Sequence, residues 1–217
     1  MRNGHGPRAT GTPPRRAPSI TALAWTALAG TLLLAHALPD DGPRGTTAAR
    51  ARPSSTRPVV PAARPLPDAD PTRIRIPAIG VDARLTPLEL DGTGALQPPP
   101  ASDPTLAGWY ADGTAPGARG TAVVTGHVDT PAGPAVFHRL DGLPRGTEIA
   151  VEREDGRTAL FTVDVVEEHA KEGFPDDRVY GSSDRPELRL ITCGGDWSRS
   201  TGYQANTVVY ATLTGTR

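Results

Sequence analysis

The sequence predicts a mostly β-structured domain that follows an N-terminal membrane-spanning helix and a linker. Two observations predict this fold class. Glycine and proline, with 24 copies each among 217 residues, disfavour regular helix over much of the chain. From residue 72 onward, roughly seven or eight short runs of alternating or β-branched apolar residues are separated by turn residues. Such a pattern is typical of a closed β-barrel or a β-sandwich.

The N-terminal region contains a candidate membrane anchor. Residues 1–18 form a basic tail that is predicted to be cytoplasmic, and residues 19–38 carry no formal charge. About 20 apolar residues suffice to cross a bilayer core of about 30 Å. Arginines precede this run and Asp40 and Asp41 follow it, which places the N-terminus inside the cell. The alternative is a secreted protein whose signal peptide is cleaved, because the small residues at positions 35 and 37 fit a cleavage site.

Residues 39–71 are predicted to be a disordered linker. They are mostly Pro, Ala, Arg, Ser and Thr. So few large apolar side chains cannot offset the entropy cost of ordering the segment. The prolines make it semi-rigid and extended. The predicted folded domain therefore spans residues 72–217 and is held outside the cell, away from the membrane surface.

The strands of this domain are predicted from polar–apolar alternation and from turn residues. The run 73–76 alternates and stops at Pro77, and a loop that starts at Pro98 leads to Trp109 and Tyr110. A turn at Asp155 and the following glycine separates two later runs. In chain order, the predicted strands are 73–76, 81–85, 121–127, 148–152, 159–166, 187–192 and 207–211.

The composition limits the possible function classes. Lysine and arginine together number 23 against 24 acidic residues, so the net charge gives no reason to expect nucleic-acid binding. A single cysteine excludes an internal disulfide. No acidic cluster has the spacing of a calcium loop, and neither a metal nor another cofactor is predicted.

The only cysteine and one of the five histidines are candidate catalytic residues. Cys193 ends an apolar run and is followed by two glycines, which leave room for a substrate carbonyl. His127 ends a second short run. A thiol and a histidine that lie far apart in sequence, each at a strand end, are typical of a thiol acyl-transfer enzyme. His138 and His169 are the competing histidines.

A candidate for electrostatic catalysis is Arg199, which lies in a polar loop six residues after the cysteine. A guanidinium does not act as a base at neutral pH. It would instead donate hydrogen bonds to the oxyanion that forms when a thiolate attacks a carbonyl. The competing interpretation is an exposed arginine in a polar loop.

These segments together resemble the sortases of Gram-positive bacteria. The resemblance rests on TGHVD, LITCGG, an arginine-containing loop and a final TVVYA strand, and it covers about residue 72 to the C-terminus. The run CGGDWxRSTGYxxN is most similar to the actinobacterial class F group. The resemblance implies a closed eight-stranded β-barrel with short helices, and a membrane-anchored cysteine transpeptidase.

The resemblance also implies a role for each candidate residue. Cys193 would be the nucleophile, His127 the catalytic histidine and Arg199 the catalytic arginine. In the best-known sortases the arginine stands at the start of the final strand, where this chain has residues 203–206 and no arginine. The residues expected to contact the substrate or the oxyanion are Thr192, Gly194 and Asn206.

The implied reaction is transfer of a protein to the cell wall. Cys193 would attack the Thr-Gly carbonyl of an LPxTG-like sorting signal in a partner protein and form a thioester. His127 would protonate the departing amine and then deprotonate the amine of a peptidoglycan precursor. No cofactor takes part.

Several other interpretations of the same residues stay open. An L,D-transpeptidase is disfavoured because its cysteine and histidine lie in one short segment, whereas a cysteine protease would differ only in using water as the acceptor. A cell-surface binding module would use Cys193 only for packing. A zinc site at Cys193, His127 and His138 lacks a clear fourth ligand.

Overall fold

In the computed structural model of the chain, residues 62–217 are described. The predicted tail, the predicted anchor and most of the predicted linker lie outside these residues. Within the described part, no helix has both the length and the apolar character that crossing a membrane requires.

The described residues are mostly in strands. A 3₁₀ turn spans Pro77–Ile79, and one short helix within residues 62–217, α1, spans Asp176–Tyr180. The strands are β1 (Pro71–Ile76), β2 (Val81–Leu88), β3 (Ala107–Tyr110), β4 (Gly120–Gly126), β5 (Asp129–Thr130), β6 (Gly133–Pro134), β7 (Glu148–Arg153), β8 (Thr158–Ala170), β9 (Pro186–Ser198) and β10 (Gly202–Thr216).

Eight of these strands form a closed barrel in the order β1-β2-β3-β4-β9-β10-β8-β7. The barrel closes where β7 pairs antiparallel with β1, with Ile74 opposite Val151. The β2–β3 and β4–β9 pairs are parallel, and the other pairs in the barrel are antiparallel. The structure thus confirms the barrel rather than the sandwich, and it confirms the eight strands that the resemblance implied.

The strands that form the site are apolar on both faces. Val124 and Leu190 are fully buried in the main core cluster. Their neighbours Val123 and Ile191 belong to a second cluster with Val179 of α1. Successive side chains of a strand point to opposite faces, so the second cluster lies outside the barrel, under α1. This covered outer face is where the candidate site lies.

Several strands differ in extent from the sequence-based predictions. Residues 107–110, which were not predicted as a strand, form β3 because they add to the edge of β2 and pair with β4. The strands β8, β9 and β10 run on to Ala170, Ser198 and Thr216. Cys193 therefore lies within β9 and not at its end, since the β9–β10 hairpin continues to pair beyond it.

The segment that precedes β1 is attached to the barrel by hydrogen bonds. The amide of Ala63 donates to the carbonyl oxygen of Leu213, and the amide of Leu66 donates to that of Gly117, each at 2.8 Å. The buried guanidinium of Arg153 donates to the carbonyl oxygen of Pro67. This end of the predicted linker is therefore packed on the barrel.

Candidate active site

The parallel pairing of β4 with β9 brings the candidate histidine to the cysteine. In this ladder Thr125 lies opposite Ile191. Continuing the register by two residues places His127 level with Cys193. Neighbouring strands lie about 4.8 Å apart. The structure therefore brings together two residues that are 66 positions apart in the sequence.

A buried hydrogen bond fixes this end of the ladder. The hydroxyl of Thr192 donates to the carbonyl oxygen of Gly126 at 2.8 Å, and the Thr192 side chain is buried. The two partners directly precede Cys193 and His127 in the sequence. Thr192, expected from the sequence to contact the substrate or the oxyanion, thus faces away from the cysteine and joins the two strands.

The contact of His127 with Pro99 defines which ring nitrogen carries a proton. The His127 Nε2 atom lies 2.8 Å from the carbonyl oxygen of Pro99, in the loop between β2 and β3. A carbonyl oxygen only accepts hydrogen bonds, so Nε2 must carry a hydrogen. The nitrogen left to exchange a proton with a reactant is Nδ1. The ring is half-buried, which keeps it accessible to a substrate.

Cys193 is a half-buried free thiol that lies in one row with two other side chains. Asn206 of β10 lies opposite Cys193, and His169 of β8 lies opposite Asn206. Paired residues of neighbouring strands share a face of the sheet, so the amide of Asn206 lies beside the thiol. His169 is two strand spacings, about 10 Å, from Cys193. The third candidate histidine, His138, is exposed, and its Nδ1 lies 2.8 Å from the carbonyl oxygen of Ala135.

The two glycines after the cysteine are required by close backbone packing. A Cβ atom on Gly194 would lie 2.5 Å from the Thr207 hydroxyl oxygen and 3.1 Å from the Thr207 amide nitrogen. Gly195 has a φ of +73°, and its Cβ would lie 2.9 Å from that of Ala205. The β9–β10 ladder shifts register next to Gly195, and such bulges are common beside active sites.

Sequence reasoning missed a hydrogen bond that crosses the site. The hydroxyl of Tyr203 donates to the carboxylate of Asp129 at 2.6 Å. This bond raises the pKa of Tyr203, as do partial burial of the phenol and the negative charges of Asp129 and Cys193. The bond fastens the β9–β10 hairpin to the segment after His127. The TGHVD motif contains Asp129, two residues after His127, and this acidic residue was the sequence feature that could have indicated a partner near the site.

The structure places Arg199 at the tip of the β9–β10 hairpin. It is exposed, in the turn between Ser198 and Gly202. Five residues of strand, about 16 Å, separate Cys193 from the start of this turn. The role predicted for Arg199 stays a prediction. The ammonium of Lys171, which the sequence did not single out, lies 3.9 Å from the Cys193 sulfur.

A groove of about 780 Å³ lies on the outer face of the barrel and reaches Asn206, the residue paired with Cys193, whereas Cys193 and His127 do not line it. Its floor is formed by Val123 and Thr125 of β4, Ile191 of β9 and Asn206 of β10. The other lining residues include Leu90, Leu96, Pro98, Tyr110 and Tyr180. An extended peptide laid in this groove would pass Asn206, which is paired with Cys193 on the neighbouring strand. Among residues 62–217, no three His, Cys, Asp or Glu side chains converge as a metal site would require.

Comparison with known proteins gives two kinds of match. The family model of the sortase domain matches residues 74–214. Among solved structures, Listeria monocytogenes sortase A aligns with a TM-score of 0.51 and 17% identity, over 69% of this chain and 90% of that one. Sortase C-1 from Actinomyces oris aligns with a TM-score of 0.50 and 21% identity, over 66% and 73% of the two chains. At these identities the solved structures show a shared fold. A comparison with curated proteins found no match to the chain.

Proposed function

Because the chain belongs to the sortase family, whose members are cysteine transpeptidases, we propose that it joins proteins bearing an LPxTG-like sorting signal to a cell-wall amine. The observation that carries this proposal is the β4–β9 register, which brings His127 level with Cys193, next to Asn206, which lines a groove of about 780 Å³. A nucleophile and an acid–base group at this spacing are what acyl transfer requires.

The first half of the proposed reaction forms an acyl-enzyme. The thiolate of Cys193 attacks the threonine carbonyl carbon, and a C–S bond forms as the carbonyl oxygen becomes an oxyanion. The backbone amide of Gly194 and the side-chain amide of Asn206 are the proposed donors to this oxyanion. The oxyanion then collapses, the Thr–Gly bond breaks, and His127 Nδ1–H gives its proton to the departing glycine amine.

The second half reverses these roles. An acceptor amine attacks the thioester carbon while Nδ1 of His127 takes up its proton. The C–S bond breaks and a new amide bond forms, so the thiolate is regenerated. One amide is broken and one is made, and no oxidant or reductant is needed. The hydrogen bond from Nε2 to Pro99 is retained throughout and holds the ring in place.

We propose that the enzyme acts at the outer face of the cell membrane. The uncharged run 19–38 would anchor it, with the basic tail inside, and residues 39–61 would act as a spacer. Fractionation of cells that express the full chain tests this location. Recovery with membranes supports an anchor, whereas recovery of a shortened chain in the medium supports a cleaved signal peptide. Assignment to the class F group stays a prediction from the CGGDWxRSTGYxxN run.

The test of the reaction uses the full chain in mild detergent, a panel of sorting-signal peptides of the LPxTG type, and a small peptide amine. Mass spectrometry should detect a product in which the amine is joined to threonine, and Cys193→Ala should abolish it. Release of the free threonine acid alone would indicate a hydrolase. No cleavage of any peptide would favour the non-catalytic binding module.

A further inference from the structure

The ammonium of Lys171 lies next to the candidate nucleophile. The Nζ atom of Lys171 is 3.9 Å from the sulfur of Cys193. This distance is short enough for a hydrogen bond to sulfur or an ion pair with a thiolate. Lys171 is the only lysine in the chain. It takes part in none of the ion pairs found among the described residues, so its charge is available to the thiol.

The fold holds Lys171 at this place through its backbone. It directly follows β8, and its amide donates to the carbonyl oxygen of Gln204 on β10 at 2.9 Å. His169, two residues earlier, lies in the row that also contains Asn206 and Cys193. Residues two apart in an extended chain point to the same face. Lys171 therefore leaves the sheet on the face that carries the thiol.

The other candidates for a charged partner are less well placed. The residue opposite Cys193 on β10 is Asn206, a neutral amide. Arg199 lies at the far end of the hairpin, about 16 Å of strand from the cysteine. An ammonium is a compact point charge with three donor hydrogens. It suits a reactant whose negative charge moves from sulfur to the adjacent carbonyl oxygen.

We propose that Lys171 is the cationic catalytic residue of this site, which stabilises first the Cys193 thiolate and then the oxyanion. The ammonium keeps its proton in every step, so proton transfer remains with His127. The part of this inference that concerns the oxyanion rests on the proposed function. The part that concerns the thiolate does not, because it follows from the contact between the two side chains.

The first experiment measures thiolate stabilisation without any substrate. Because Cys193 is the only cysteine, the rate of alkylation of the full chain by iodoacetamide reports on it alone. In Lys171→Met, alkylation at pH 7 and low salt should slow by about two- to fivefold, the range for an exposed charge pair. Added salt should shrink the difference between the two rates. Lys171→Arg should behave like the unchanged protein.

The matched control is Arg157→Met, which removes the same charge at the opposite end of β8. Arg157 directly precedes this strand and is exposed. Its alkylation rate should equal that of the unchanged protein. Equal rates for Lys171→Met and the unchanged protein would overturn the proposal. So would an equal loss in Arg157→Met, because the effect would then be one of net charge.

The second experiment measures acyl-enzyme formation from a sorting-signal peptide. Lys171→Met should slow it by at least about tenfold, since a preorganised donor to an oxyanion is lost. Arg199→Ala should have a smaller effect; a larger effect would return the role to Arg199 and overturn the assignment of Lys171. If no peptide is cleaved by the unchanged protein but Lys171→Met still slows alkylation, the proposed function fails and the thiolate role of Lys171 stands.

Discussion

The hydroxyl of Thr192 donates a 2.8 Å hydrogen bond to the carbonyl oxygen of Gly126, and this bond joins the residue before the candidate nucleophile to the residue before the candidate acid–base group. It lies at the end of a parallel strand pair whose register stops two residues before Cys193. The bond therefore extends the ladder up to the reacting side chains. The relative position of Cys193 and His127 depends on it.

Replacing Thr192 with valine should weaken both the fold and the reaction. Valine keeps the shape of the side chain but removes the hydroxyl, so a buried carbonyl loses its donor at a cost of about 1–3 kcal/mol. Urea denaturation measures the loss in the free energy of unfolding, and the rate of acyl-enzyme formation should fall with it. Thr192→Ser is the matched control because it keeps the hydroxyl. Equal stability of the valine and serine variants would contradict the role given to this bond.

Gly195 should be more sensitive to substitution than Gly202. Both have positive φ angles, +73° and +68°, so alanine at either position incurs backbone strain of about 1–2 kcal/mol. Only at Gly195 would the new Cβ meet another atom within 3.0 Å, whereas nothing lies within 4 Å at Gly202. The difference between Gly195→Ala and Gly202→Ala in thermal or urea unfolding measures this crowding. If the two variants are equally stable, the packing described for the CGG segment is wrong.

The bond between Tyr203 and Asp129 should make stability depend on alkaline pH. The pKa of Tyr203 is raised in the folded protein, chiefly by donation to the Asp129 carboxylate. A group whose pKa is raised on folding stabilises the fold while it is protonated. This stabilisation is full below about pH 10, the usual pKa of tyrosine, and is lost as pH rises through the higher folded value. The test compares the free energies of unfolding of the unchanged protein and of Tyr203→Phe at neutral and at strongly alkaline pH. The difference in free energy between the two proteins should shrink at alkaline pH. A difference that stays constant with pH would contradict this role of the bond.

Replacing His127 should abolish most of the reaction. Loss of a general acid–base group typically costs about 10²- to 10⁴-fold in rate, and His127→Ala removes the group that we place beside the thiol. His138→Ala is the control, because this exposed histidine is bonded to its own turn. Steady-state transpeptidation of a fluorescent peptide compares the two. A larger loss in the His138 variant would move the acid–base role away from His127.

Local patterns predicted the strands and the two candidate catalytic residues, but not how the strands come together. Alternation reports which face of a strand is buried, and this is the same in a barrel and in a sandwich. The two folds are distinguished by the β1–β7 pairing, which closes the sheet. The strand β3 was missed because its four residues are recognisable only by their pairing with β2 and β4. Lys171 reaches Cys193 across three strands, β8, β10 and β9, and such a contact depends on two registers that no local signal encodes.

The most direct test of the central claim is intact-mass spectrometry of the full chain, quenched with acid soon after mixing with a sorting-signal peptide and no amine acceptor. We predict an adduct that ends in threonine, maps to Cys193, is released by hydroxylamine as a thioester and is absent in Cys193→Ala. Peptide cleavage that persists in Cys193→Ala, or an adduct at another residue, would contradict the account.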